Sequence, residues 1–282
     1  MINKYLKNKK PLFTIATCSK SNFSELLQTC KSVKNFSDNF DYSISFEHIL
    51  ILSSYTSQEI NFIKDIIQSY PNFVTTNIIK IAPKGISKSF NLCLELAHGN
   101  YLFFLNAGDK IKCDIDCLNS FKRIVKSNHS DELSNEKIVY YFDILTKGKT
   151  SLFNRRVNYP NSLSPYHFLK MGNPINHQAT LYPLKLAKKY PYPNVLIGMD
   201  YSVNLNMIID GIEFHKLPGI FVEYDITGIS AKTPWKKLYE NFKAFNLKAF
   251  KYRSFILIFL CWIILPFLII RSFAQKVTYP LR

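Results

Sequence analysis

The sequence contains no CxxC pair, although it has six cysteines in 282 residues. Most of these cysteines fall in segments expected to form the core, where a free thiol behaves as a small hydrophobic group. We therefore expect no zinc site and a reducing, cytoplasmic compartment. The first ten residues are basic but hold no apolar stretch, so we expect no secretory signal there.

Acidic residues are also scarce, since 20 Asp and Glu stand against 36 Lys and Arg, giving a net charge of +16. The surplus is concentrated in residues 232–282, which hold ten basic residues and a single acid, Glu240. Such a patch suits anionic lipid or nucleic acid. No nucleic-acid-binding module is recognisable in the sequence, so we expect an anionic membrane surface as partner and no nucleic acid.

Predicted strands and helices alternate along the N-terminal part of the chain. Apolar runs predict strands at 12–17, 48–53, 78–82 and 101–105, and helical spacing of apolar residues predicts helices at 23–33, 56–70 and 86–97. This alternation is typical of βαβ units, which build a parallel sheet covered by helices. With 47% hydrophobic residues, the chain can form a substantial core, and disorder is excluded.

Residues 84–109 are the most informative segment, because a helix there leads into a buried strand that ends at an acid. The strand is followed by the tight turn Asn106-Ala107-Gly108-Asp109. In open α/β sheets, ligands bind beyond the carboxyl ends of the strands, which places Asp109 where a ligand is expected. The alternative is that Asp109 only stabilises the turn, since aspartate is common in turns.

This segment resembles the family 2 glycosyltransferases, an inverting group in which the corresponding acidic turn holds the divalent cation of a nucleotide-diphosphate sugar. Later segments resemble the same family: His177-Gln178 entering a strand, Asp200 at the head of a helix, and Gly228-Ile229-Ser230 closing the catalytic domain. The resemblance implies an α/β, GT-A (Rossmann-like) domain over residues 1–231, with a mixed, mainly parallel sheet flanked by helices.

The resemblance also implies roles for the two acids. Asp109 is the candidate ligand of Mn2+ or Mg2+, with Asn106 as a weaker oxygen contact, because hard cations take oxygen ligands. Asp200 is the candidate catalytic base, which must accept the proton of the acceptor hydroxyl. The alternative for Asp200 is a first-turn acid that is stabilised by the helix dipole.

Other candidate residues would bind the substrates, and among them His177 and Gln178 would contact either the diphosphate of the donor or the acceptor. The resemblance implies contacts from Lys84, Gly85, Asn91, His177 and Gln178. The family usually carries an acid after its second strand for the nucleoside, but this chain has Ser53-Ser54-Tyr55 there. Tyr55 is expected to stack on the base, and Ser53 or Ser54 to accept its hydrogen bond. Lys84 can equally be a solvated lysine, and His177 a hydrogen-bonded histidine at a strand start.

Residues 232–282 predict a C-terminal membrane-associating helical tail. Residues 255–270 form an uncharged run of 16 residues that contains Pro266. As a helix it would be about 24 Å long, short of a bilayer core of about 30 Å. Residues 235–252 have the spacing of a basic amphipathic helix, so we expect an interfacial or re-entrant attachment. The alternatives are a buried terminal helix and a helix that binds a protein partner.

Together these features predict an inverting, metal-dependent glycosyltransferase at the cytoplasmic face of the inner membrane. It would move a sugar from a nucleotide-diphosphate sugar to a lipid-linked saccharide in surface-polysaccharide synthesis. The alternative is a catalytically inactive relative that scaffolds a polysaccharide-assembly complex, because the usual nucleoside-binding acids are missing.

Overall fold

The computed structural model describes residues 10–41, 44–82, 85–128, 137–148, 154–170, 172–195, 197–226, 233–251 and 255–278, with only the backbone described from 271. Lys84 and the 228–230 segment of the sequence analysis lie outside these ranges.

The N-terminal part alternates strands and helices, as predicted. Its elements are β1 Phe13–Lys20, α1 Phe23–Ser37, β2 Phe46–Ser53, α2 Ser57–Gln68, β3 Val74–Lys80, α3 Ile86–Leu96 and β4 Tyr101–Phe104. The four strands are parallel, in the order β3-β2-β1-β4. Helix α2 begins with a capping box, in which Thr56 and Glu59 satisfy each other's backbone amide.

Strand β3 begins four residues earlier than the sequence predicts and ends at Lys80 rather than at residue 82. Its first residues alternate between half-buried and exposed positions, because β3 is the edge strand of the sheet. A search for apolar runs misses such a strand, since only one of its faces is covered.

The C-terminal part completes the sheet with strands of both directions. Its elements are β5 Lys110–Ile111, α4 Ile115–Asn128, β6 Ile138–Lys147, β7 Arg155–Val157, α5 Pro165–Phe168, β8 Thr180–Pro183, α6 Leu184–Ala187, α7 Met199–Ile209 and β9 Glu213–Asp225. The order across the described residues is β3-β2-β1-β4-β8-β6-β9-β5, with β7 paired to β6. Strand β8 is antiparallel to both β4 and β6, whereas β6 and β9 are parallel. The sheet is therefore mixed and mainly parallel, as expected.

Helices cover both faces of the sheet and bury an aromatic core on each. On the face of α1 and α4, Phe36 stacks edge-on against Phe121 and Phe46, with centroids 5.1 and 5.9 Å apart. On the other face, Phe90 of α3 lies 4.4 Å from Phe104 of β4. These clusters fix β4, whose carboxyl end carries the acidic turn.

Two further helices, α8 Pro234–Lys251 and α9 Phe255–Thr278, follow the sheet. They share one apolar cluster with α5 and α7, formed by Phe168, Tyr201, Leu205, Leu238, Phe245, Ala249, Cys261 and Leu268. Helix α9 continues through Pro266. Helix α8 thus packs against α7 of the preceding sheet domain.

Within the part of the chain that the structure describes, none of the helices combines the length and the apolar character needed to cross a membrane.

Candidate active site

The turn after β4 is held in place by helix α1. The Asp109 backbone amide donates to the Asn106 carbonyl at 3.1 Å, and Gly108 adopts φ +101°. The Thr29 hydroxyl donates to the Asp109 carbonyl at 2.8 Å and accepts from the Gly108 amide at 3.1 Å. The left-handed glycine and the threonine together fix the direction in which Asp109 leaves the turn.

The Asp109 carboxylate is buried, with a relative exposure of 4%. Its two oxygens accept hydrogen bonds from the Gln178 amide group and from the Asp225 backbone amide, each at 3.1 Å. Burial raises the pKa of Asp109 to about 8, and the charges of Asp225 and Glu25 add to the rise, although the two hydrogen bonds oppose it. An acid in this position favours a nearby cation, which would stabilise its ionised form.

Asp200 lies in the first turn of α7, which begins at Gly198 in the left-handed conformation. Its Oδ2 accepts from Asn173 Nδ2 at 2.7 Å and lies 3.2 Å from His177 Nδ1. Burial alone would raise the pKa of Asp200, but the hydrogen bond and charge of His177, the charge of Lys237 and the Asn173 hydrogen bond bring it well below its usual value. Asp200 is thus held as an ionised carboxylate.

One short turn joins the two acids. The 3-10 turn His177–Ala179 precedes β8 and is fixed by Asn176, whose side chain accepts from the Gln178 amide. From this turn, Gln178 contacts Asp109, while His177 contacts Asp200. The insertion of β8 between β4 and β6 puts the turn beside the end of β4. Four residues from three distant parts of the sequence therefore come together in one group of contacts.

Three buried polar atoms in this region lack a hydrogen-bond partner among the described residues: Asn106 Oδ1, His177 Nε2 and Gln178 Oε1. Leaving such atoms unsatisfied costs about 1–3 kcal/mol each. Because a carboxylate, two amide oxygens and an imidazole are suitable partners for a cation or a polar ligand, the site fits one. Among the described residues, no group of three or more His, Cys, Asp or Glu side chains is arranged to hold a metal on its own. A cation at this site would also need oxygen atoms from a bound substrate.

The other predicted donor residues contact the protein in this structure. Gly85 begins α3 with φ +92°. Both polar atoms of the Asn91 side chain hydrogen-bond the Tyr192 backbone, at 2.8 and 2.9 Å. Ser53 Oγ lies 3.5 Å from the Ser19 carbonyl.

Tyr55, expected to stack on a nucleobase, is only 3% exposed. Its ring packs among Leu26, Leu50 and Ile63, and its hydroxyl bonds Ser19 Oγ and the Asn22 amide. The structure thus places the ring in the core between α1 and α2.

Sequence reasoning did not identify four residues that shape the site: Thr29, Asn173, Asp225 and Lys237. Only Asp225 carries a usable signal, because it ends strand β9 much as Asp109 follows β4. The other three act through contacts between distant segments.

Solved structures of glycosyltransferases share this fold. The mannosyltransferase PcManGT from Pyrobaculum calidifontis, in complex with GDP-Man and Mn2+, matches with a TM-score of 0.60 over 99% of this chain and 82% of its own, at 12% identity. S. aureus TarS 1–349 matches with a TM-score of 0.58 over 84% of this chain, at 13% identity. The chain spans 64% of that TarS fragment, which has also been solved in complex with UDP-GlcNAc. No protein-family model and no curated protein matches the sequence. At these identities the likeness establishes only that the chain shares the fold of these proteins.

Proposed function

We propose that this protein is an inverting, metal-dependent glycosyltransferase that moves a sugar from a nucleotide diphosphate to a lipid-linked saccharide in surface-polysaccharide synthesis. The observation that carries the proposal is the His177–Ala179 turn, which ties Asp109 and Asp200 into one group. The proposal is supported by the fold that the chain shares with TarS and PcManGT, which have been solved in complex with UDP-GlcNAc and with GDP-Man and Mn2+, respectively. Family 2 membership and inversion are part of the proposal.

Asp109 and the amide oxygen of Asn106 would hold Mn2+ or Mg2+, which supplies positive charge to the leaving diphosphate. Gln178 orients the Asp109 carboxylate through its hydrogen bond. The burial of Asp109 keeps water from competing for that carboxylate.

Asp200 would accept the proton of the acceptor hydroxyl while the oxygen of that hydroxyl attacks the anomeric carbon of the sugar. The bond between the anomeric carbon and the diphosphate breaks as the new bond forms. Inversion follows, because the attacking oxygen and the leaving group stand on opposite faces of the sugar. His177 and Asn173 orient Asp200 through its Oδ2. The strongly lowered pKa makes Asp200 a weak base in this state, so substrate binding must raise its basicity.

The inactive scaffold is the second candidate. It is favoured because residues 53–55 hold no carboxylate for the nucleoside, and because Ser53 and Tyr55 contact β1 and the start of α1.

The two candidates are separated by measuring turnover of a panel of UDP- and GDP-sugars with the purified full chain, with and without Mn2+. Under the proposal at least one donor is consumed, and Asp109→Asn abolishes this consumption at limiting Mn2+.

Asp200→Asn should lower turnover about a hundredfold or more, the usual contribution of a general base, with donor affinity unchanged. Asp210→Asn, on an exposed acid after the same helix, is the matched control and should keep wild-type turnover. Absence of turnover with every donor would favour the scaffold.

We also propose that α8 and α9 attach the protein to the cytoplasmic face of an anionic membrane. Large apolar side chains are exposed on both helices: Tyr239, Leu247, Phe250, Phe255, Ile256, Phe259, Trp262, Ile263, Phe267 and Ile270. Residues 232–282 add ten basic residues against one acid, which is the charge that anionic lipid attracts. A lipid-linked acceptor would then meet the enzyme at the surface where it resides.

A further inference from the structure

Helix α8 lies directly against the start of α7. Asn241 of α8 is fully buried, and a Cβ built on Gly198 would come within 2.1 Å of its Oδ1. Gly198 is two residues before Asp200, so α8 forms a wall of the turn that carries the proposed base.

Lys237 is one helical turn before Asn241 and therefore lies on the same side of α8. Its charge is one of the causes that lower the pKa of Asp200. Lys237 forms no ion pair with a described carboxylate, and its residue is only half-buried. Lys237 is thus a half-buried cation on the face of α8 that packs against the turn of Asp200, the carboxylate that the acceptor hydroxyl would approach under the proposed function.

The same helix exposes apolar side chains elsewhere on its circumference. Tyr239, Leu247 and Phe250 are each more than 60% exposed, and they continue into the exposed aromatic residues of α9. Helix α8 thus presents a cation to the proposed base and apolar groups to the surroundings. A molecule with a lipid chain, an anionic group and a sugar in that order matches this arrangement.

We propose that Lys237 binds the phosphate of an anionic lipid-linked acceptor beside Asp200 and so determines acceptor specificity. The inference rests on the proposed function, in which Asp200 faces the acceptor. An ammonium group binds phosphate as a compact charge, and an arginine can replace it. A neutral glycolipid would leave Lys237 without its anion and would bind more weakly.

The two tryptophans of the chain, Trp235 and Trp262, lie in α8 and α9, so intrinsic fluorescence reports on this region alone. In full-length Trp262→Phe protein, the emission of Trp235 is followed during titration with farnesyl diphosphate and, separately, with farnesol. The farnesyl group contributes equally to the binding of both compounds, so the ratio of their dissociation constants isolates the contribution of the diphosphate. We expect the diphosphate to bind at least ~10-fold more tightly, equivalent to ~1.4 kcal/mol.

Lys237→Gln should remove most of that preference, whereas Lys237→Arg should keep it. Lys236→Gln is the matched control, because Lys236 is the adjacent lysine, is exposed, and carries the same charge. A preference unchanged in Lys237→Gln, or lost equally in Lys236→Gln, would overturn the assignment. The assay needs no donor, so a protein that turns over no nucleotide sugar but shows this lysine-specific preference would refute the enzyme proposal and leave the anion site standing.

Discussion

At the scale of single residues, the site contains two aspartates in opposite environments. Asp109 is enclosed and near other acids, which raises its pKa to about 8. Burial acts in the same direction on Asp200, but His177, Lys237 and Asn173 overcome it and lower its pKa. This division suits a site in which one carboxylate needs an added cation while the other is already ionised.

The raised pKa of Asp109 gives a pH-dependent prediction for the metal-free protein. When the pKa of an acid rises on folding, its contribution to stability is fully present at pH values below its ordinary pKa of 3.8. This contribution is lost as the pH rises through the folded-state pKa of about 8. Asp109→Asn mimics the protonated acid. The variant should therefore match wild type near the low end of this window and gain up to ~1.4 kcal/mol per pH unit over it until the difference levels off.

Urea unfolding with EDTA across this pH range measures the difference. Asp210→Asn controls for the loss of one carboxylate and should show no such trend. A wild-type protein more stable than Asp109→Asn at the alkaline end would show that Asp109 is ionised without cost.

At the scale of elements, helix α7 is flanked by two glycines in the left-handed conformation. Gly198 has φ +76° and Gly211 has φ +79°. A Cβ at Gly198 would meet Asn241, whereas one at Gly211 would meet nothing within 4 Å. The N-terminal glycine is thus required both by the backbone conformation and by the close approach of α8.

Alanine substitutions at Gly198 and Gly211 can be compared directly, because both glycines are left-handed and only Gly198 lies against α8. Gly211→Ala should cost about 1–2 kcal/mol, the backbone penalty alone. Gly198→Ala carries the same penalty plus a clash with a buried side chain, so its cost in urea unfolding should be clearly larger. Turnover should also fall in Gly198→Ala alone, because the Asp200 turn must shift. Equal losses of stability in the two variants would mean that α8 does not press on α7.

At the scale of the whole molecule, α8 and α9 both pack against the sheet domain and carry most of the large apolar side chains that are exposed among the described residues. Leu238 and Phe245 are buried against α7, while Phe255, Phe259 and Phe267 are each at least 66% exposed. Deleting the two helices would uncover Tyr201 and Leu205 of α7, so attachment is better tested by substitution than by truncation.

We expect the full chain to bind vesicles of anionic lipid, with a blue shift of tryptophan emission as Trp262 enters an apolar medium. High salt should release only part of the protein, because it screens the lysines but not the apolar contact. The double variant Phe259→Ser/Trp262→Ser should lose most of the binding in co-sedimentation. Phe62→Ser, on an exposed aromatic of α2, should not. Complete release by salt would reduce the attachment to charge alone.

The sequence by itself determined the βαβ order, the acidic turn after β4 and the acid at the head of α7. These features depend on local periodicity and on turn residues, which are visible over about ten residues at a time. The sequence does not predict strand β5, because a segment of two residues has no measurable period and forms a strand only where β9 pairs with it.

Only the tertiary structure decided that Asp109 and Asp200 belong to one site. The insertion of β8 between β4 and β6 brings His177 and Gln178 to both acids, and the packing of α8 on α7 adds Lys237. The burial of Tyr55 is likewise a result of α1 closing on α2. Contacts between segments that are distant in the chain leave no local pattern, since they arise when the apolar faces of the elements pack together.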